Sequence, residues 1–182
     1  MAERQLCPAG WVKIFVLTRS KIRAWNFSYV WHNAGTMLAN ETIGVLLHHK
    51  GSTVWTISAK ATVFEAIKLL AEKNIGALPV MDGDRLVGIF SERDYTRKIA
   101  LAGKTSRGTP VREVVSTPVV AVTSQHTIEE AMRLMTEKRI RHLPVIDEGK
   151  MVGLVSIGDM VNWIISAQSA AIDQMQSYLA GR

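Results

Sequence analysis

Two short phrases in this chain have the residue types and spacing to do chemistry: Ser91-x-x-Asp94 and Ser156-x-x-Asp159. On the first turn of a helix, a hydroxyl and a carboxylate at this spacing stand beside backbone N–H groups that have no partner within the helix. Such a pair can simply cap its own helix. Alternatively, the carboxylate accepts hydrogen bonds from both hydroxyls of a diol, while the free N–H groups and the helix dipole face an anion. A lone instance reads as a capping box. Here each phrase follows a Val-Gly pair by the same interval (Val87-Gly88, Val152-Gly153), and both belong to a longer duplication.

The duplication covers residues 57–99 and 122–164, which superimpose at one constant shift without insertion or deletion. Thr62-x-x-Glu65, Ile75, Leu78-Pro79-Val80 and Asp82 return as Thr127-x-x-Glu130, Ile140, Leu143-Pro144-Val145 and Asp147. A repeat present only twice predicts a closed pair sharing one core, because an open solenoid needs three or more units.

The elements that must position the two phrases follow from periodicity. Thr62 and Glu65 form a capping-box pattern worth ~1 kcal/mol, ahead of an amphipathic helix with Val63, Ala66, Ile67 and Leu70 on one face. Ala77–Met81 and Leu86–Phe90 are apolar runs around Asp82-Gly83-Asp84, which predicts a hairpin, and Ser91 to Leu101 reads as a second helix. With a strand over Val54–Ile57, each unit is strand, helix, hairpin, helix. The second copy repeats the order through Val119–Val122, Thr127–Lys138, His142–Ile146, Met151–Val155 and Ser156–Ser166. The expected organisation is an N-terminal extension over 1–40, a first unit over 41–102, a linker over 103–110, a second unit over 111–166 and a helical extension over 167–182. A unit of this size covers only one face of its sheet, so the two are expected to pack sheet to sheet.

The net charge of +6 does not mark a polyanion surface, because residues 1–40 carry +4 of it and residues 41–182 only +2. No apolar run is long enough to span a membrane. The single cysteine, Cys7, excludes an internal disulfide and fits a reducing compartment. The five histidines, His32, His48, His49, His126 and His142, have no metal-ligand spacing, and no nucleophile elbow, P-loop or dinucleotide fingerprint is present. Residues 1–36 hold Trp11, Trp25 and Trp31, have no counterpart in the repeats, and read as an upstream start or an organellar presequence, with an extra packed helix the remaining option. A cytoplasmic location is expected, or an organellar matrix if that segment is a presequence.

The order of helix, Leu-Pro-Val-x-Asp, hairpin, Val-Gly and Ser-x-x-Asp resembles the cystathionine β-synthase (CBS) domain, and two in tandem resemble a Bateman module. The likeness covers about residues 50–166. Phe90-Ser-Glu-Arg-Asp-Tyr-Thr-Arg-Lys, Lys138-Arg-Ile-Arg-His-Leu-Pro-Val and Val155-Ser-Ile-Gly-Asp are similar to phrases of stand-alone bacterial and organellar CBS-pair proteins. The resemblance implies an α/β (α+β) fold, two βαββα units as a pseudo-two-fold pair, with adenosine-containing ligands in two clefts between the units. It implies that the carboxylates take ribose hydroxyls, with Lys50, Val54, Trp55 and Ala77 beside Ser156, Gly158 and Asp159. It likewise implies Ser116, Val119, Val120 and His142 beside Ser91, Arg93 and Asp94. Arg141 stands in phosphate-reaching position, and Arg93 is matched by Gly158 in the other copy, so the Asp94 cleft is expected to favour the more phosphorylated ligand.

The expectation is therefore a non-enzymatic sensor of AMP, ADP, ATP, NAD or S-adenosylmethionine, with no metal, no catalytic cofactor, no membrane and no nucleic acid. It is expected to form a homodimer through its amphipathic helices and to act on a protein effector in trans. The rivals are a ligand-free dimeric adaptor, a polyanion-binding protein using the basic tail with Arg139 and Arg141, and a nucleotide hydrolase, for which no base or metal cluster is visible.

Overall fold

The computed structural model describes residues 14–16, 41–51 and 53–179. The expectations for most of residues 1–40, Cys7 and the presequence reading among them, lie outside the described residues. In chain order the elements are β1 (Ile14–Val16), α1 (Ile43–Lys50), β2 (Ile57–Ser58), α2 (Val63–Lys73), β3 (Ala77–Asp82), β4 (Arg85–Ser91), α3 (Glu92–Tyr95), β5 (Val119–Ala121), α4 (Ile128–Lys138), β6 (His142–Asp147), β7 (Lys150–Ser156) and α5 (Ile157–Leu179). The mixed α/β class and the order within each repeat agree with the sequence reading.

Two compact units emerge, one built on Thr53–Ala121 and the other joining residues 41–51 to the segment from Val122 onward. In the first, β2 runs parallel to β3 and β3 pairs antiparallel with β4. Thr62 caps α2 through the full capping box with Glu65. The buried face of α2 (Val63, Ala66, Leu70) meets Leu78, Val80 and Phe90 of the hairpin in one apolar core. The second unit repeats this with Thr127 and Glu130 capping α4 and an antiparallel β6–β7 hairpin. Gly83 holds a φ of +62° in the first hairpin turn, where a side chain would be strained.

The compact units regroup segments across the repeat boundaries read in the sequence. The α1 segment, expected in a first unit over 41–102, belongs to the second. Its Ile43 N–H donates to His126 O at 2.8 Å, Gly44 N–H donates to Ser124 O at 2.9 Å, and Ile43 and Leu46 are buried. Conversely Val111–Val114, expected to open the second unit over 111–166, completes the core of the first, with Val111 N–H donating to Ala61 O at 2.8 Å. Amphipathic spacing fixes which face of a segment is apolar but not which of two equivalent cores it fills. Two elements are also shorter than read. The strand expected at Val54–Ile57 is confined to Ile57–Ser58, and the helix from Ser91 has only four α-helical residues before widening into a π-helical turn over Thr96–Ala100.

Each lead-in segment presses an apolar side chain against the glycine of the Val-Gly pair. A Cβ at Gly88 would lie 2.6 Å from Val115 Cβ, whereas one at Gly153 would lie 2.7 Å from Leu47 Cδ1, the tip of a flexible side chain. Valine is stiff at χ1 and cannot swing aside. Gly88→Ala is therefore expected to cost about 1–3 kcal/mol and Gly153→Ala under 1 kcal/mol, measured by urea denaturation. Equal costs would contradict the packing.

Candidate functional site

Ser91 and Ser156 end β4 and β7 in extended conformation, and the chain then turns into a helix, so each serine is an N-cap. In the first unit Asp94 Oδ2 accepts from Ser91 N–H at 3.1 Å and Ser91 Oγ at 2.6 Å, while Asp94 N–H donates back to Ser91 Oγ at 3.3 Å. In the second unit Asp159 Oδ2 accepts from Ser156 N–H at 2.7 Å and Ser156 Oγ at 2.8 Å, and Asp159 N–H donates to Ser156 Oγ at 3.2 Å. The strand before each site is fixed alike: Ala77 pairs in register with Ser91, and His142 with Ser156. Glu92 N–H donates to Gly76 O at 3.3 Å, and Ile157 N–H donates to Arg141 O at 2.9 Å.

A lysine joins each carboxylate. Lys50, the last residue of α1, donates from Nζ to Asp159 Oδ2 at 2.6 Å and to Leu154 O at 3.0 Å. Its position there depends on α1 packing with the second unit. Lys98, which the sequence reading did not single out, pairs with Asp94 Oδ1 at 2.8 Å. Ser116 Oγ donates to the same oxygen at 2.7 Å, bringing an expected site residue to Asp94. The signal for Lys98 was available in its spacing, since residues four apart share a helix face.

Burial is the largest influence on the Asp94 carboxyl and works to raise it, but hydrogen bonds from Lys98, Ser91 and Ser116 together with the Lys98 charge hold it below its ordinary value of 3.8. Burial likewise pushes Asp159 up, and the Lys50 and Ser156 hydrogen bonds with the Lys50 charge bring it below 3.8. Both groups are thus ionised, acceptor-only carboxylates at neutral pH. Their contribution to stability is present above the ordinary carboxylate range and lost as pH falls through the lowered values.

His142 is lowered from 6.5 by burial first; Asp159 opposes this, and Lys50 and Arg141 reinforce it. The charges it feels are therefore those of the Asp159 cluster, whereas the resemblance grouped His142 with Asp94. The first residue of β6 faces the first residue of α5's cap across the hairpin, which is why. A depressed histidine binds its proton more readily in the unfolded chain, so stability is full above about 6.5 and falls as pH drops toward the folded value. Thermal melts between pH 7.5 and 5.5 are expected to show a fall in melting temperature that His142→Gln flattens.

Ala77 begins β3 and is buried, whereas Val119 and Val120 lie in β5. Val54 and Trp55 precede β2 in irregular chain, and Lys73 Nζ sits 3.9 Å from the centre of the exposed Trp55 ring. Arg93 and Arg141 are exposed. Gly158 lies in the first turn of α5, where a Cβ would meet only Ser156 Oγ at 3.6 Å. The helix-dipole argument holds for the 23-residue α5 but is weak for the four-residue α3. Where the first copy has Lys98, the second has Trp163, whose ring stands 5.0 Å from that of His49. Among the described residues no group of His, Cys, Asp or Glu can hold a metal ion, and no helix is long and apolar enough to cross a membrane.

Paired strand–helix–hairpin units, each with a capped serine–aspartate phrase after its last strand, define a duplicated α/β module. The CBS domain model matches residues 52–101 and 111–166, and the chain belongs to this family, carrying two CBS domains. CBS pairs are in general regulatory, ligand-binding modules. A protein with CBS domains from Burkholderia ambifaria is 46% identical, with a TM-score of 0.67 over 69% of this chain and 94% of that one. The mitochondrial CBS domain-containing protein CBSX3 of Arabidopsis thaliana is 37% identical over 72% of this chain, which spans 66% of that protein's length. A hexameric CBS-CP12 protein from bloom-forming cyanobacteria is 31% identical, with a TM-score of 0.59 over 66% of each chain.

Proposed function

We propose that the chain is a non-enzymatic sensor that binds adenosine-containing ligands (AMP, ADP, ATP, NAD or S-adenosylmethionine) at Asp94 and Asp159 and acts on a protein effector in trans. The observation that carries this reading is the recurrence, in both units, of an ionised carboxylate locked beside a serine at the end of the same strand. A fixed acceptor-only group suits a donor-rich partner, and a ribose diol supplies two hydroxyl donors side by side. Arg93 and Arg141, one beside each phrase, supply guanidinium groups for ligand phosphates, and the chain near Val54, Trp55, Val119 and Val120 supplies apolar walls for a purine. Differential binding to two shapes of the module, or to two states of a dimer, would transmit occupancy. The hexameric relative supports self-assembly, and the mitochondrial relative is compatible with an organellar as well as a cytoplasmic setting.

The test is thermal. A ligand at a hundred times its dissociation constant stabilises the fold by about 2.7 kcal/mol, a rise of several degrees for a chain of this size. No rise with millimolar AMP, ATP, NAD or S-adenosylmethionine would falsify the sensor reading. One observation favours the adaptor reading instead: each serine–aspartate pair satisfies itself as a capping box. The adaptor reading requires that Asp94→Ala with Asp159→Ala leave partner binding unchanged.

A further inference from the structure

The two carboxylates are not equally open. Each oxygen of Asp94 is doubly engaged: Oδ2 by Ser91 N–H and Oγ, Oδ1 by Ser116 Oγ and Lys98 Nζ. That accounts for about all four lone-pair sites of a carboxylate. Asp159 Oδ2 takes three donors, and Oδ1 takes none from the described residues.

The lysines differ as much as the carboxylates. Besides Asp94, Lys98 Nζ lies 2.8 Å from Val114 O, 3.2 Å from Val115 O and 3.2 Å from Ser116 Oγ. An ammonium group has three N–H donors, so Lys98 is fully used. It ties the Asp94 helix to the end of the Val111–Glu113 turn, which contributes to the core of the same unit. Among the described residues Lys50 donates to Leu154 O and Asp159 Oδ2, two acceptors for three N–H donors. The second copy cannot build the same clasp, because Trp163 stands at the position of Lys98.

We propose that Lys98 is a latch on the Asp94 site, which an incoming diol must displace, so that the Asp159 site fills first and the Asp94 site second. This rests on the reading of both carboxylates as diol acceptors. The latch is releasable from the lysine side: the Lys98 side chain is 39% exposed against 12% for Asp94, so water can take over the ammonium group when a diol takes over the carboxylate. It discriminates by order of occupancy: low ligand reports through one site, high ligand through both. It also opposes the expectation that the Asp94 site is the stronger phosphate binder, because the cation nearest it is committed to carbonyls.

Calorimetric titration of the full chain with AMP and with adenosine tests this. Wild type is expected to show a tighter and a weaker class of site, and Asp159→Ala to remove the tighter one. In that background Lys98→Met is expected to tighten the remaining site about tenfold for both probes. Lys98→Gln, which keeps a donor for the Val114 and Val115 carbonyls, is expected to give a smaller gain in the same direction and covers the case in which Lys98→Met does not fold. A loss of AMP affinity that spares adenosine would make Lys98 a phosphate contact and overturn the latch. Unchanged affinity in both variants would leave it a solvated ion pair and overturn the latch alone. Absence of binding to wild type and variants alike overturns the nucleotide reading and the latch together.

Discussion

Asp94→Ala combined with Asp159→Ala is expected to cut by half or more the rise in melting temperature that millimolar AMP gives the unaltered chain. The effect follows from the double role of each carboxylate. As the third helical residue of a capping box it accepts from the N-cap serine N–H, so each substitution lowers the ligand-free stability by about 0.5–1.5 kcal/mol. As a diol acceptor it supplies charge-assisted hydrogen bonds worth about 1.5–3 kcal/mol, and their loss at both sites removes a factor of at least ten in each affinity. The quantity to read is therefore the difference with and without AMP in each protein, measured by differential scanning calorimetry. Asp94→Asn with Asp159→Asn separates the roles, because the amide keeps an acceptor for the cap while losing the charge. A ligand-induced rise undiminished in the alanine double variant would place the ligand elsewhere.

Phe90→Ala is expected to be the most damaging single substitution in the first unit, costing about 3–5 kcal/mol. Phe90 is fully buried, faces Leu78 across the β3–β4 ladder, and lies in the cluster with Val63, Leu70, Ile99 and Val111. The segment carrying Ser91 and Asp94 follows directly, so a cavity there also loosens the site. For a chain of this length the fall in melting temperature is about ten degrees. The matching residue of the second copy is Val155, also fully buried but smaller. Val155→Ala is expected to cost about 2 kcal/mol, since fewer methylene groups leave the core. A larger cost at Val155 than at Phe90 would contradict equivalent cores in the two units.

Much of this architecture is legible from local residues. Thr62 with Glu65 and Thr127 with Glu130 are capping boxes in the chain and in the structure, because a cap is set by four consecutive residues. The hairpins at Asp82–Arg85 and Asp147–Lys150 are equally local. The destination of α1 and of Val111–Val114 was not legible. Both segments present an apolar face, and two homologous cores accept either one, so only the pairing of Ile43 with His126 and of Val111 with Ala61 decides. The site was half legible for the same reason. Ser91, Asp94, Ser156 and Asp159 are local phrases, and Lys50 and Ser116 came from the resemblance. Lys98 lay four residues beyond Asp94, and its tie to Val114 and Val115 depends on where that turn packs. The π-helical turn over Thr96–Ala100 has no sequence signature that the apolar spacing reveals.

The most direct test of the account is a crystal structure of the full chain grown with AMP, read at the ribose. The account predicts both ribose hydroxyls within about 2.5–3.0 Å of the Asp159 carboxylate, with Asp94 occupied in the same way only at the higher ligand concentration. AMP bound away from both aspartates, or density at Asp159 with the diol turned toward solvent, would contradict it.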